Sequence, residues 1–522
     1  MIDLNIITHI CIISLLSIFF FGVLYFSTKK NCYWGAPLRT DNEKMVLSAS
    51  KINLFDWPSK MHDIEYNRSQ QREYWTIFLK LILTFLNKKD LSDFNNILLA
   101  LIANLFSPIL IYFIFSNYFD PNVGFLISLL YVTCLWSHYI SIYIGHILLS
   151  QLFFLISLLL IQTSFNNSFD ISKSLLLFFS GLSLGISYFS SSASRKYVYL
   201  ILIALFIEHS QVIKLGFFFK NIEIDKYIYI SLLTISVLSF SFRKTINHYF
   251  KDNTETILSL FNVFLIVLIL KFLFFETNYK IFKSLFFIFI GFFLVLVHIF
   301  FPKKNFILNV KKHISWLNVT EWASHFRAYD KDDQIKIFKH VIPKNFRGGG
   351  LLWIHKILLL YIPIIYLIFS ILVVFLMSLF FYNQNFNNLL NFSLIFLLAI
   401  FPIFIHEFTK GLKVAKAYFS VLPTLLIFIA YGLDIILKYN DSIYLILICI
   451  IFLQLIFTIY TLFNDTIPCR TSANKVANYL IKNKIKKIYT YDNAYNDAFI
   501  KAILNIFPNN FEVKYVNSIE NL

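Results

Sequence analysis

The chain has 522 residues, of which 58% are apolar and only 14% charged, with a mean hydropathy of +0.68. A soluble domain carries about a quarter charged residues, so the composition excludes an ordinary soluble protein. The formal charge of +17 lies mainly in the connections between apolar runs, where Lys and Arg serve the positive-inside rule, anionic headgroups or a phosphate-bearing ligand; with no soluble basic domain to carry it, nucleic acid is excluded as a partner.

A helix needs about 20 apolar residues to cross a hydrocarbon core of roughly 30 Å, and its backbone groups must be satisfied within the segment. About thirteen crossings meet that length criterion. They fall near 5–26, 94–115, 123–143, 146–163, 173–190, 196–208, 226–242, 256–275, 281–301, 353–381, 389–406, 415–437 and 441–463. The expected fold class is therefore an all-α polytopic membrane bundle of about 11–13 transmembrane helices, with interfacial loop helices and a small C-terminal α/β appendage. The first run is too long for a signal peptide and its basic flank, Lys29-Lys30, follows it, so a retained first helix is expected. An odd number of crossings places the two ends of the chain on opposite sides.

Three parts lie outside the apolar runs. The connection 27–93 mixes both signs of charge with Trp34, Trp57 and Trp75, and its stretch from Arg72 to Leu86 reads as an amphipathic helix on the membrane surface. The connection 302–352 carries Trp316, Trp322, many lysines and Gly348-Gly349-Gly350. The tail 464–522 reads as a small soluble unit appended to a membrane part, 1–463: helix at 472–484, strand at 487–491, helix at 494–506, strand at 511–516.

Transporters place ionisable or helix-breaking residues in mid-span. Here such positions are few, with Lys271 and His298 near helix ends, and the polar residues gather at helix ends and in loops. That pattern favours chemistry at the membrane surface. In the first connection, Asp41 and Glu43, with His62 and Asp63 downstream, offer carboxylates for a general base or for a divalent cation beside a phosphate; the alternative is a solvated loop. Arg195 and Lys196 follow a short span, either to grip a phosphate or to anchor at headgroup level. His406 and Glu407 precede Lys416 and Tyr418, which open the next span from the membrane edge with Pro423 beyond. His146, after Gly145, reads as a headgroup-level polar residue rather than a ligand. The five cysteines, Cys11, Cys32, Cys134, Cys449 and Cys469, show neither metal-type nor C-x-x-C spacing.

In this order the features resemble the GT-C class of membrane glycosyltransferases, which includes the aminoarabinose transferases and the protein O-mannosyltransferases. Asp41-Asn42-Glu43 stands where that class has an acidic motif in its first external loop. Lys416-Ala-Tyr418-Phe-Ser-Val-Leu-Pro423 is similar to its Arg-Tyr-x-x-x-x-x-Pro segment, and Gly181-Leu-Ser-Leu-Gly185 followed by Arg195 to its glycine-rich span ending in a cation. There are departures: Lys416 replaces Arg, Tyr418 sits one place late, a His-Pro-Pro segment is missing, and Ser150-Gln151 stands where many relatives carry a second acid.

The resemblance implies a polyprenyl-phosphate sugar donor, a lipid, glycan or protein acceptor, and membrane lipids as surroundings. It implies Asp41 and Glu43 as catalytic residues, substrate binding by Arg195, Lys196, Lys416, Tyr418, His406, Glu407, His62 and Asp63, and no certain cofactor beyond a divalent cation. It also implies a bacterial inner membrane location, with a cytoplasmic N-terminus and an external active site. The alternative from another class is a flippase or polymerase-like protein for lipid-linked glycans; a third is a structural membrane subunit.

Overall fold

The computed structural model describes residues 4–31, 73–85, 93–143, 145–166, 170–191, 279–300, 347–348, 362–382, 396, 413–414, 422–440, 442–463, 479–491 and 512–516. Its helices are α1 (Leu4–Asn31), α2 (Glu73–Phe85), α3 (Asp93–Ser116), α4 (Pro121–Val132), α5 (Leu135–Tyr143), α6 (His146–Asn166) and α7 (Asp170–Ser190). After these come α8 (Tyr279–Phe300), α9 (Pro363–Tyr382), α10 (Leu422–Tyr439) and α11 (Ser442–Thr461). Among the described residues, five helices are long and apolar enough to cross a membrane, or six if the bent pair α4–α5 is taken as one span. The protein is an all-α polytopic integral membrane bundle.

Side-chain contacts fix the direction of each helix. His9 of α1 meets Tyr112 of α3, whereas Ser17 and Leu24 share a cavity with Leu101 and Asn104, so α1 and α3 are antiparallel. Ser128 donates to the Pro108 carbonyl at 3.0 Å, which sets α4 antiparallel to α3. Ser150 and Ser157 of α6 bond Ser187 and Ser180 of α7, again antiparallel. Gly181 lies against Ile288 and Gly185 against Val295, so α8 runs parallel to α7. Gln454 and Thr458 of α11 reach Leu130 and Thr133, and Tyr444 lies within electrostatic reach of Asp120, so α11 runs parallel to α4. The chain reverses between α10 and α11 after Asn440. If the face on which α1 begins is called proximal, α1, α5, α7, α8 and α11 all end on the opposite, distal face, and α3, α6 and α10 start there.

The rim of the bundle shows one-sided burial. The inward stripe of α1 is His9, Ile13, Ser17, Phe20 and Leu24, while Leu15, Ile18 and Phe26 face outward. On α11 the buried stripe is Leu447, Ile451, Gln454, Thr458 and Thr461. These spacings are those of one helix face. An apolar outer face gains nothing by leaving lipid, so cohesion must come from close packing and polar contacts between helices.

Two interfaces supply that cohesion. Between α6 and α7, Ser150 donates to the Ser187 carbonyl at 2.6 Å and Ser187 donates back to the Ser150 carbonyl at 2.7 Å. One turn-pair away, the Ser157 and Ser180 hydroxyls lie 2.8 Å apart. Between α7 and α8 the backbones nearly touch. A Cβ on Gly181 would collide with the Ile288 backbone, one on Gly291 with Phe178, and one on Gly185 would sit 2.7 Å from Val295.

The expected single span at 123–143 is two helices, bent by 51° at Thr133–Cys134. The surface helix expected at 72–86 is α2, but it does not simply lie on the bundle: Trp75, Thr76 and Leu79 are buried. The span expected at 353–381 is described from α9's start at Pro363, and that at 415–437 as α10 from Leu422. The spans expected at 196–208, 226–242 and 256–275 lie outside the described residues, as does that at 389–406 apart from Phe396.

In the tail, strands β3 (Lys487–Tyr491) and β4 (Glu512–Val516) form at the expected places and pair in parallel, with Lys487 opposite Glu512. Lys484, at φ 56°, turns the chain out of the preceding helix into β3. Among the described residues the other strands are a two-residue antiparallel pair, β1 (Arg347–Gly348) with β2 (Lys413–Val414).

Candidate functional site

All ten candidate site residues, Asp41, Glu43, His62, Asp63, Arg195, Lys196, His406, Glu407, Lys416 and Tyr418, lie outside the described residues. What the structure does describe is the set of helix ends that flank them. Asp41 and Glu43 follow α1, which ends at Asn31; Arg195 and Lys196 follow α7, which ends at Ser190; Lys416 and Tyr418 precede α10, which starts at Leu422. These three ends open on the distal face. The pairing of β1 with β2 joins the end of the second long connection to the segment just ahead of Lys416.

The distal face has its own described architecture. The first turn of α2 is tied to the ends of two other helices. Tyr74 shares a 2.8 Å hydrogen bond with His298 Nδ1 near the end of α8, and the Trp75 ring meets His146 edge-on at the start of α6. A Cβ on Gly145 would come within 2.9 Å of the Trp75 ring and would also strike Ala100, so only glycine lets the α5–α6 corner pass beneath α2. Tyr188, Phe189 and Val295 form a small apolar cluster around which Tyr74 and Ile77 pack. His146 is thus buried under Trp75.

Deeper in the bundle runs a polar seam that sequence reasoning missed. The break between α4 and α5 frees carbonyls, and each finds a donor. The Leu130 carbonyl accepts from Gln454 Nε2 at 2.9 Å, Val132 from His138 Nε2 at 2.9 Å, and Thr133 from the Thr458 hydroxyl at 2.6 Å. Gln454 Nε2 also lies 2.7 Å from the Thr133 hydroxyl. Since the Val132 carbonyl can only accept, His138 carries its proton on Nε2, and Nδ1 accepts from Asn104 Nδ2 at 3.2 Å. Both ring nitrogens are occupied, which makes His138 a buttress of the break rather than a free base or ligand. Ser150 and Gln151 are likewise structural: Ser150 pairs with Ser187, and Gln151 donates to the Tyr131 hydroxyl at 2.9 Å. The available signal was a histidine and several Ser, Thr and Gln residues inside otherwise apolar runs. Among the described residues no group of three or more His, Cys, Asp or Glu side chains could hold a metal ion.

No family model matches this chain, and no curated protein does. Solved structures of similar layout are oligosaccharyltransferases from Archaeoglobus fulgidus. One is AglB in complex with an inhibitory peptide and a dolichol-phosphate, 12% identical over 99% of this chain and 61% of that one, with a TM-score of 0.47. Another is tethered to an acceptor peptide with the NVT sequon, 10% identical over 97% of this chain and 63% of that one, with a TM-score of 0.43. The chain spans about three fifths of the length of these proteins.

Proposed function

We propose that this protein is an integral membrane glycosyltransferase of GT-C type, moving a sugar from a polyprenyl-phosphate donor to an acceptor hydroxyl at its distal face. The observation that carries the reading is the common direction of three helix ends. The chain leaves α1 toward Asp41 and Glu43, leaves α7 toward Arg195 and Lys196, and enters α10 from Lys416 and Tyr418, all on one side. Carboxylates and cations that must meet one sugar phosphate need that arrangement. The seam supports surface chemistry too, because its polar groups bond one another and the freed carbonyls instead of lining a path through the bundle.

In this reading the donor enters laterally between helices, and Arg195 and Lys416 hold its phosphate. Lys196, Tyr418, His406 and Glu407 line the same lipid-edge approach. Asp41 or Glu43 takes the proton of the acceptor hydroxyl as its oxygen attacks the anomeric carbon; the glycosidic bond forms, the bond from sugar to phosphate breaks, and polyprenyl phosphate leaves. Asp41, Glu43 and Asp63 are the hard oxygen donors that Mg²⁺ or Mn²⁺ takes, with His62 adjacent. Such an ion would neutralise charge on the departing phosphate. The face is external in a bacterial plasma membrane, and 464–522 forms a small soluble α/β unit on that side.

The test is transfer of labelled sugar from polyprenyl phosphate by membranes holding the full chain. Replacing Asp41 and Glu43 together by Ala should lower transfer by about 10²-fold or more at unchanged expression. Full activity in that variant overturns the assignment.

A further inference from the structure

We infer that one ordered water is held inside the bundle between α1, α3 and α5, bonded to Ser17 and Asn104. The argument starts from Pro108 in the middle of α3. A proline has no N–H, so the carbonyl four residues back, that of Asn104, loses its helical donor. The neighbouring hydroxyl, Ser107, does not replace it, because Ser107 donates to the Ala103 carbonyl at 2.8 Å. In a membrane such a freed carbonyl has to be satisfied by a side chain, another helix or an ordered water.

Asn104 lines a cavity of about 10 Å³ together with Ser17, His138, Val132, Phe20 and Leu101. That volume is roughly the room one water needs. Ser17 lies in the inward stripe of α1 and is 3% exposed. Among the described residues no group bonds its hydroxyl. An unbonded hydroxyl in so apolar a setting is costly, because nothing replaces the hydrogen bonds it would make in water. The His138 ring brings no demand of its own, since Val132 and Asn104 occupy both nitrogens. The cavity thus adjoins a hydroxyl and a carboxamide residue whose main-chain carbonyl lacks its helical donor. A water there accepts from or donates to Ser17 and donates to Asn104, giving it the two or more polar partners that buried waters require. It ties α1 to the turn of α3 before Pro108 and to the stacked pair Phe20–His138.

The experiment is an experimental map of the full chain in lipid, at a resolution that shows other buried waters, for the natural protein and for Ser17→Val. The expected result is a peak within hydrogen-bonding distance of Ser17 Oγ and Asn104 in the natural protein, absent in Ser17→Val, whose melting temperature falls by about 2 °C. A cavity that is empty in such a map overturns the inference. So does a higher melting temperature for Ser17→Val, the outcome expected when a methyl group fills a dry void.

Discussion

The two faces of the bundle are built differently. On the proximal face the described connections are tight and capped by local chemistry. Asp120 caps α4 by accepting from the Asn122 amide at 2.8 Å, with Pro121 at the first helical position, and Asn440 Oδ1 accepts from the Ser442 amide at 2.9 Å between α10 and α11. On the distal face α1, α7, α8 and α11 end where the long connections and the tail begin. A face closed by short turns fixes where helices stand, and under the proposed function the long connections of the opposite face carry the chemistry. Between the two lies the seam, where polar side chains serve the fold.

That division is open to tests of decreasing effect. The largest belongs to the distal face: substitution of Asp41 and Glu43 should remove about 10²-fold or more of the transfer rate while leaving the unfolding temperature in detergent unchanged. A parallel loss of stability would mean that the carboxylates hold the fold. In the interior the signs reverse. Gly181→Leu forces α7 and α8 apart at a backbone contact and should cost about 1–3 kcal/mol or more, read as loss of the monodisperse peak in size-exclusion chromatography. Gln454→Leu strips donors from Leu130 and Thr133, and a cost of about 1 kcal/mol should appear as a lower melting temperature. The proximal turn should be the most forgiving: Asp120→Ala removes one cap, worth about 0.5–1 kcal/mol, with transfer activity kept. A large activity loss in the Asp120 variant would break the separation of faces.

How much of this was legible in the sequence depended on how local the cause was. Spans such as α1, α3, α6 and α11 follow from apolar runs of membrane length, and β3 and β4 from short alternating segments, because the signal for each lies within the segment itself. The break at Thr133–Cys134 was not legible. No proline or glycine marks it, the polar Thr133, Ser137 and His138 sit in an otherwise apolar run, and it exists because Gln454, Thr458 and His138 supply donors to carbonyls that a straight helix would have kept. The burial of Trp75 was hidden for the same reason, since its partners His146 and Ala100 come from other segments. The reason for Gly181 and Gly185 is likewise non-local: both glycines are needed for the approach of α8. The candidate site itself rests on sequence motifs and on the helix ends beside them.

The long reach of the α4–α5 break also bears on how the protein is made. Gln454 is 324 residues downstream of the Leu130 carbonyl it satisfies. At a synthesis rate of ~10 residues per second, the ribosome needs on the order of half a minute to deliver that donor after Leu130 has emerged. Throughout that interval the Leu130 and Thr133 carbonyls lack the donors that α11 brings, and a straight helix through 121–143 would satisfy them with its own amides. The bend between α4 and α5 is therefore tied to completion of the C-terminal half, and a chain released before α11 would lack the donors that hold it.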